Sequence, residues 1–345
     1  MFSFDEGTTI ADRMRHHAGD EPHLYGYLMR AMADDWEAGG PVQEICHGWE
    51  DAPRGSAIQL RVLAGLFRIV LTGRAPELTP YYPCLGGTAP PQEAWPTVRR
   101  VMTAHVRELH DALKIAPQTN EVGRSTALLV GLFEAVRRTG RRNVRLIEPG
   151  ASAGLNLLVD EFRFVNSGWE FGPSGSPLVL RDGVLGQVKP EQFEVVERRG
   201  CDLAPVDVTT GAGRLRLKSF VWPFQVARHK RLAAALEIAS HHVVVVDRAP
   251  AGEWLEHQLA DAGPADGLTV VWQSITRLYW PPDEARRVEA TVAGAARRHT
   301  VVHVCMEYPE AGVASGAELT VSGTGVDGVV RVARVGDHGT PVTLA

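Results

Sequence analysis

The spacing of hydrophobic positions changes near residue 143. Before it, apolar residues recur at helical intervals: Ile10, Met14 and Ala18, then Leu24, Leu28, Ala31 and Met32, with Gly39-Gly40-Pro41 as the stop. A third periodic run, Ile58 to Leu71, ends at Thr72-Gly73, and a fourth extends from Trp95 to Leu113. A fifth opens at Gln118-Thr119-Asn120-Glu121, with Thr119 or Asn120 as N-cap, and continues through Leu128, Leu129, Leu132 and Val136 to Gly140. No strand is expected ahead of residue 143. Between the third and fourth runs lies a Pro/Gly-rich loop, Pro76 to Pro91, holding Tyr81 and Tyr82. A loop of that length is commonly functional.

After residue 143 the rhythm becomes short apolar runs without alternation: Val144 to Ile147, Phe193 to Val196, Val243 to Val246, Leu268 to Trp272 and Val301 to Met306. Helical segments Arg228 to Ala239, Glu253 to Ala262 and Asp283 to His299 separate the later ones. Such runs suit a parallel sheet covered on both faces, so Val243 to Val246 is read as a buried strand. Glu318 to Ser322 and Val329 to Val335 are expected to close the sheet as an antiparallel pair. The reading is α/β: a helical N-terminal domain over 1–142, then a sheet domain over 143–345, with an irregular insert or hairpin at about 163–188.

Composition narrows the function. A net charge of -5 argues against a binder that relies on neutralising nucleic-acid phosphates. No apolar run approaches the roughly 18 residues of a membrane span. The opening MFSFDEGTT has neither the basic nor the apolar region of a secretory leader, so a cytoplasmic location is expected. Cys46, Cys84, Cys201 and Cys305 are scattered without a C-x-x-C and are expected to be reduced thiols. The histidines show no zinc spacing, and no metal is expected.

Candidate chemistry centres on Asn143 to Asp160, NVRLIEPGASAGLNLLVD, which reads as strand, glycine turn and helix. Small residues in such a turn let backbone approach a ligand, and a helix N-terminus favours acceptors or negative charge. Glu148-x-Gly150-x-Ser152-x-Gly154 resembles motif I of the class I S-adenosylmethionine-dependent methyltransferases, acid-x-Gly-x-Gly-x-Gly, with serine at the middle glycine. The same letters fit two other readings: the G-x-S-x-G elbow of a serine hydrolase, with Ser152 as nucleophile and His303 or His338 as base, and a βα turn with no ligand. The hydrolase reading lacks earlier strands and an oxyanion loop. A nicotinamide fold would require G-x-G-x-x-G, which is absent.

The methyltransferase resemblance covers 143–345 and implies a Rossmann-like sheet, S-adenosylmethionine as cofactor, and ligand contacts at the strand ends. Glu148 would hold the methionine amine, with Gly150, Ala151, Ser152, Gly154 and Asn156 lining the turn. Asp202, in Gly200-Cys201-Asp202-Leu203-Ala204-Pro205, resembles the motif II acid that accepts both ribose hydroxyls; Asp207 is its competitor. Asp247 stands where motif III meets the adenine amine, and Gln273 and Ser274 where donor and acceptor face each other. Tyr279 and Trp280 offer aromatic faces to a sulfonium. Arg124 is expected to pair with the cofactor carboxylate. The acceptor is expected to be a small molecule, with the helical part as its cap and Tyr81, Tyr82 and Asn120 as contacts. Tyr279, Glu307, Glu121 and His47 are candidate bases should the acceptor lose a proton. A methyltransferase-like protein that binds without turnover is a further alternative. The whole chain also resembles a bacterial family of unknown function, through Tyr81-Tyr82-Pro83, Gln118 to Arg124, Ala151 to Asn156, Asp202 to Asp207 and Val221-Trp222-Pro223. That resemblance implies that the helical and α/β parts belong together.

Overall fold

The computed structural model describes residues 8–20, 22–261, 263–264, 266–309 and 316–345. The first seven residues, most of the stretch read above as lacking a leader, lie outside them. Two compact units divide the chain: one holds the described residues up to Thr119 with Gly211–Lys230, the other Asn120–Thr210 with Arg231–Ala345.

The helical unit contains α1 (Ile10–Ala18), α2 (Leu24–Glu37), α3 (Pro41–Ile45), α4 (Ile58–Leu71), α5 (Trp95–Ala104) and α6 (Val106–Ala112). Thr9 caps α1 in a capping box with Asp12, and His23 caps α2 by accepting from the Gly26 N–H at 2.9 Å. The run from Trp95 to Leu113 was expected to be one helix. It breaks at His105, whose backbone leaves the helical region at φ -124°, ψ 24°. The break lets Val101 and Met102 before it and Leu109 after it all enter the core. That core is built from Met14, Leu28, Met32, Ile45, Leu63, Phe67 and their neighbours. A helix that the sequence reading missed, α8 (Gly211–Phe220), packs against α4.

The sheet unit is α/β, with a large, mostly parallel central sheet. It begins with α7 (Ser125–Thr139), preceded by a short 3-10 turn over Val122–Arg124. Asn120 is therefore not a helix cap; it sits at φ 39° in the connection before that turn. The main strands are β1 (Asn143–Pro149), β6 (Glu194–Asp202), β7 (Val245–Arg248), β8 (Leu268–Ser274) and β9 (Val301–Glu307), then β10 (Ala317–Gly323) and β11 (Val329–Val335). The insert forms a small second sheet from β2 (Arg163–Asn166), β3 (Trp169–Phe171) and β4 (Val179–Arg181). β5 (Val184–Leu185) and β12 (Val342–Leu344), too short to carry a pattern, extend the large sheet.

The large sheet runs β5-β12-β11-β10-β9-β8-β1-β6-β7. From β7 to β9 all neighbours are parallel, and the antiparallel β10–β11 hairpin closes that side as expected. Burial follows the pattern: β8 is buried at every residue and β1 at all but the first, whereas β10 alternates. Ile147, Val271 and Val301 pack against α10 (Ala251–Gln258) and α11 (Pro282–Ala296), while α7 covers β8, β9 and β10. The reading of Val243 to Val246 as a buried strand is corrected. β7 is the sheet's edge, with Val243 88% and Val245 45% exposed, so only one side of it is hydrogen-bonded.

The order places a topological switch between β1 and β8. After β1 the chain builds outward through β6 and β7, and then returns to β1's other side for β8 and β9. In open α/β sheets, ligands bind outside the carboxyl ends of strands at such a point.

Candidate functional site

The turn after β1 is held from two sides. Gly150 and Ala151 donate to the Cys201 carbonyl at 2.8 and 2.9 Å. Ser152 N donates to Asp202 Oδ2 at 2.9 Å, and Asn120 Oδ1 accepts from Ala153 N at 3.2 Å and Leu155 N at 3.0 Å. Gly154 N closes on the Ala151 carbonyl at 2.8 Å. Every N–H from Gly150 to Leu155 is thus engaged by protein.

Two expectations are corrected by this. The turn offers no N–H cradle for an anion, and no α-helix follows it. Leu155–Glu161 is a 3-10 segment in which Leu158 leaves helical geometry at φ -97°, ψ 23°, so a helix-terminus field is missing. The glycines of the turn also answer a packing need. A Cβ on Gly150, at φ 77°, would stand 2.4 Å from Thr276 Cγ2, and one on Gly154, at φ 71°, 2.6 Å from Val244 Cγ1.

Beneath the turn lies a buried polar network. Glu148, 2% exposed at the end of β1, has its Oε2 without a protein partner. Burial pushes its carboxyl up to about 8, against the pull of Asn156 and Arg124 and with a further push from Asp202. Asn156 is itself fixed by Ser125, whose hydroxyl donates to Asn156 Oδ1 at 2.8 Å. Ser125 escaped the sequence reading because nothing local distinguishes it from any residue at a helix start.

Arg124 stands at the switch point. Its Nη1 donates to the Ser274 carbonyl at 3.2 Å and its Nε to the Asp337 carbonyl at 3.4 Å. Glu121, Tyr308, Tyr279 and Glu307 lie within electrostatic reach of it, yet among the described residues no carboxylate comes within ion-pair distance. The half-buried guanidinium is therefore hydrogen-bonded to carbonyls and not neutralised. Glu121, 5% exposed, accepts from Gly123 N at 3.0 Å and faces Arg231 at 3.6 Å and His338 at 3.8 Å.

Glu307 ends β9 and its Oε1 gathers four donors: Gln273 Nε2 at 2.9 Å, Thr276 N at 2.9 Å, Thr276 Oγ1 at 3.2 Å and Arg277 N at 3.2 Å. Its Oε2 has no protein partner, and burial raises its pKa against those bonds. Gln273 is held at its other end by His303 Nε2 at 3.2 Å. Tyr308 donates to Asp337 at 3.0 Å; burial and that carboxylate push its hydroxyl up to about 12. Tyr308 and Asp337 were not foreseen, being joined only by the fold.

The remaining expectations fare differently. Asp202 does end β6, but it works as a clamp, accepting from Ser152 N and, through Oδ1, from Ala204 N at 2.8 Å. Among the described residues Asp207 bonds its own turn, at Thr209 and Thr210. Asp247, on the edge strand, is tied to Arg199 at 2.7 and 3.0 Å and to the Trp254 indole at 2.7 Å, and Arg199 holds its carboxyl below the usual range. Tyr279 is 76% exposed, whereas Trp280 packs on the core under α10 and α11. In the helical unit, Tyr82 is fully buried against Phe67 and Tyr81 is half-buried. His47 pairs with Glu50 at 3.7 Å on the helical unit's surface.

The hydrolase elbow keeps one feature and lacks two. Ser152 has φ 55° and a buried, unpartnered Oγ. However, among the described residues no histidine bonds that hydroxyl. His303 is occupied by Gln273 and burial brings it down to about 4, and His338 faces Glu121. The N–H after the nucleophile, needed for an oxyanion, is taken by Asn120. No group of three or more metal-binding side chains occurs among the described residues, and no helix there is long and apolar enough to cross a membrane.

The sequence signature of one family, described as "Uncharacterized protein conserved in bacteria (DUF2332)", matches residues 8–343. No curated protein and no solved structure matches the chain.

Proposed function

We propose, for a chain that belongs to this bacterial family, that the β1/β8 switch point binds S-adenosylmethionine and that the protein is a methyltransferase for a small-molecule acceptor. One observation carries the reading: Arg124, a half-buried cation with no carboxylate partner among the described residues, stands within electrostatic reach of Glu148, a buried acid with an unpartnered oxygen. A guanidinium beside a carboxyl complements an amino-acid head, its carboxylate to Arg124 and its ammonium to Glu148. The methionine end of S-adenosylmethionine is such a head.

The other half of the ligand is a nucleoside. Asp202, which ends β6 and accepts the Ser152 and Ala204 N–H groups, is the carboxylate that would meet the ribose hydroxyls. Asp247, neutralised by Arg199, adds no support for an adenine contact. When bound, the cofactor supplies a methyl group on a positively charged sulfur. The chain's part is alignment of two reactants, an effect worth up to ~7–11 kcal/mol. Glu307, with Oε2 unpartnered, is the candidate proton acceptor for an acceptor that must lose one.

Titration calorimetry tests the reading with S-adenosylmethionine, S-adenosylhomocysteine, methionine, adenosine and NAD. Micromolar binding of the first two, weakened at least tenfold in Arg124→Ala, is expected. Binding of methionine with equal affinity would make this an amino-acid site. Absence of binding to the folded protein would remove the proposal and send attention to Ser152, through a serine-reactive probe. Binding without turnover of any acceptor would leave a binding protein.

A further inference from the structure

One face of β9 carries a polar row. His303, Cys305 and Glu307 alternate with Val302, Val304 and Met306, so the three polar side chains share a face. Gln273 joins them from β8, where it pairs with Cys305. The row is linked end to end. Cys305 Sγ lies 3.3 Å from His303 Nε2, the same nitrogen lies 3.2 Å from Gln273 Oε1, and Gln273 Nε2 donates to Glu307 Oε1 at 2.9 Å. Its far end holds a strained turn. Ile275, a β-branched residue, sits at φ 50°, and Glu307 Oε1 takes the Thr276 and Arg277 N–H groups that follow it. Such strain persists where surrounding bonds over-determine the backbone, and it gathers at functional sites.

The chemistry of these groups decides which atom carries each hydrogen. Glu307 Oε1 meets two backbone N–H groups, a hydroxyl and an amide, so it acts as an acceptor throughout. Gln273 must then turn its NH2 group to Glu307 and its oxygen to His303. A carbonyl oxygen only accepts, so His303 Nε2 carries the hydrogen and the neutral ring is the Nε2–H tautomer. Burial brings His303 down to about 4, so the neutral ring is the form present at neutral pH. Burial also keeps Cys305 a thiol, and its sulfur accepts from the same N–H. Glu307 Oε2, without a protein partner, is left as the atom that takes a proton.

We propose that His303 and Gln273 are positioning residues for Glu307: they commit its Oε1 to the turn after β8 and leave Oε2 as its only basic atom. The proposal rests on Glu307 as the proton acceptor of the methyl-transfer reading. His303 acts through the amide. Its N–H holds the Gln273 oxygen, which denies the amide the half-turn that would set that oxygen against Glu307 Oε1. Two acceptors 2.9 Å apart would repel, and the carboxylate would lose a donor. Around the row stand Arg277, paired with Glu289 of α11, and Arg124 ahead of α7; neither they nor Cys305 bonds Oε2.

Nitrogen NMR of the full chain carrying isotope-labelled histidine reads the tautomer, with the His303 signals assigned through His303→Gln. At neutral pH, Nε2 should show the shift of a protonated nitrogen and Nδ1 that of a bare one, in wild type and in Cys305→Ala alike. Carboxyl-carbon NMR, assigned through Glu307→Gln, should give Glu307 a titration midpoint that rises by about one pH unit in Gln273→Leu, a tenfold change in its ionisation constant. His303→Leu should raise the midpoint too, although it removes no bond to Glu307; a merely structural histidine would leave it in place. The tautomer needs no change at Gln273, so it decides the matter if Gln273→Leu does not fold. A hydrogen on Nδ1, or a midpoint unmoved in either leucine variant, would overturn the positioning and leave S-adenosylmethionine binding untouched. A folded protein that binds no S-adenosylmethionine would instead remove the reaction that Glu307 serves, with the tautomer unchanged.

Discussion

Glu148 is ordinary in sequence and unusual in place. Near the end of a strand buried at all but its first residue, its carboxyl is raised to about 8, so at neutral pH it mostly holds a proton. An ammonium ligand favours the ionised form and must displace that proton. Affinity for S-adenosylmethionine is therefore expected to rise as pH goes from 6 towards 8, by at most tenfold per pH unit, and to level off above. Calorimetry in buffers of different ionisation enthalpy should register about one proton released, and none in Glu148→Gln. A pH-independent affinity in the wild-type protein would mean that Glu148 does not meet the ammonium. Asn120 carries the opposite lesson. The sequence suggested a helix cap or a substrate contact, and the fold uses its amide oxygen to hold two N–H groups of the turn. Asn120→Ala leaves both unpaired, and a loss of about 2–4 kcal/mol in urea unfolding is expected.

At the scale of elements, the turn after β1 is a joint between strands. Gly150 fits because Thr276, beyond β8, occupies the space where a side chain would go, and Gly200 fits because Ala151 does the same. Gly150→Ala combines a positive φ with a 2.4 Å approach to Thr276, so expression of folded protein should fall sharply and Thr276→Ser should not restore it. Full recovery in that double variant would show that the conformation itself is tolerated. The strands and longer helices were legible because burial on two faces writes continuous apolar runs and amphipathic helices write a period. β1, β8, β9, α4 and α11 lie within a few residues of where those patterns put them. The edge position of β7 was not legible, since Val243 to Val246 has the letters of a buried strand and only pairing on one side tells otherwise. Nor was the 3-10 segment Leu155–Glu161, whose apolar residues keep a helical look while clamping bonds draw its start elsewhere. Strand-end acids were found by topology, but their partners, Arg199 for Asp247 and Thr276 for Glu307, come from other parts of the chain that no local pattern joins, as does Ser125, which holds Asn156.

For the whole molecule, two buried groups with displaced pKa values set opposing pH dependences. Glu148 ionises at about 4.5 when unfolded and about 8 when folded, so between these values the native state holds the extra proton and stability falls as pH rises. His303, pushed from 6.5 to about 4 by burial, binds its proton only in the unfolded chain across that interval, so its contribution rises with pH. Each slope is about 1.4 kcal/mol per pH unit for one proton. From pH 4.5 to 6.5 these two contributions cancel, and from 6.5 to 8 only Glu148 of the pair contributes. Urea midpoints should separate them. Glu148→Gln removes the decline above pH 6.5 and uncovers a rise from 4 to 6.5. His303→Gln uncovers a decline that begins at 4.5. The double variant should lose both slopes, because each residue bonds through neighbours the other does not need: Asn156 for Glu148, Gln273 and Cys305 for His303. Single variants whose difference curves against wild type are flat across pH 4.5 to 8 would show that both groups keep their unfolded protonation in the native protein, and the amino-acid head proposed for Arg124 and Glu148 would lose its proton-linked half.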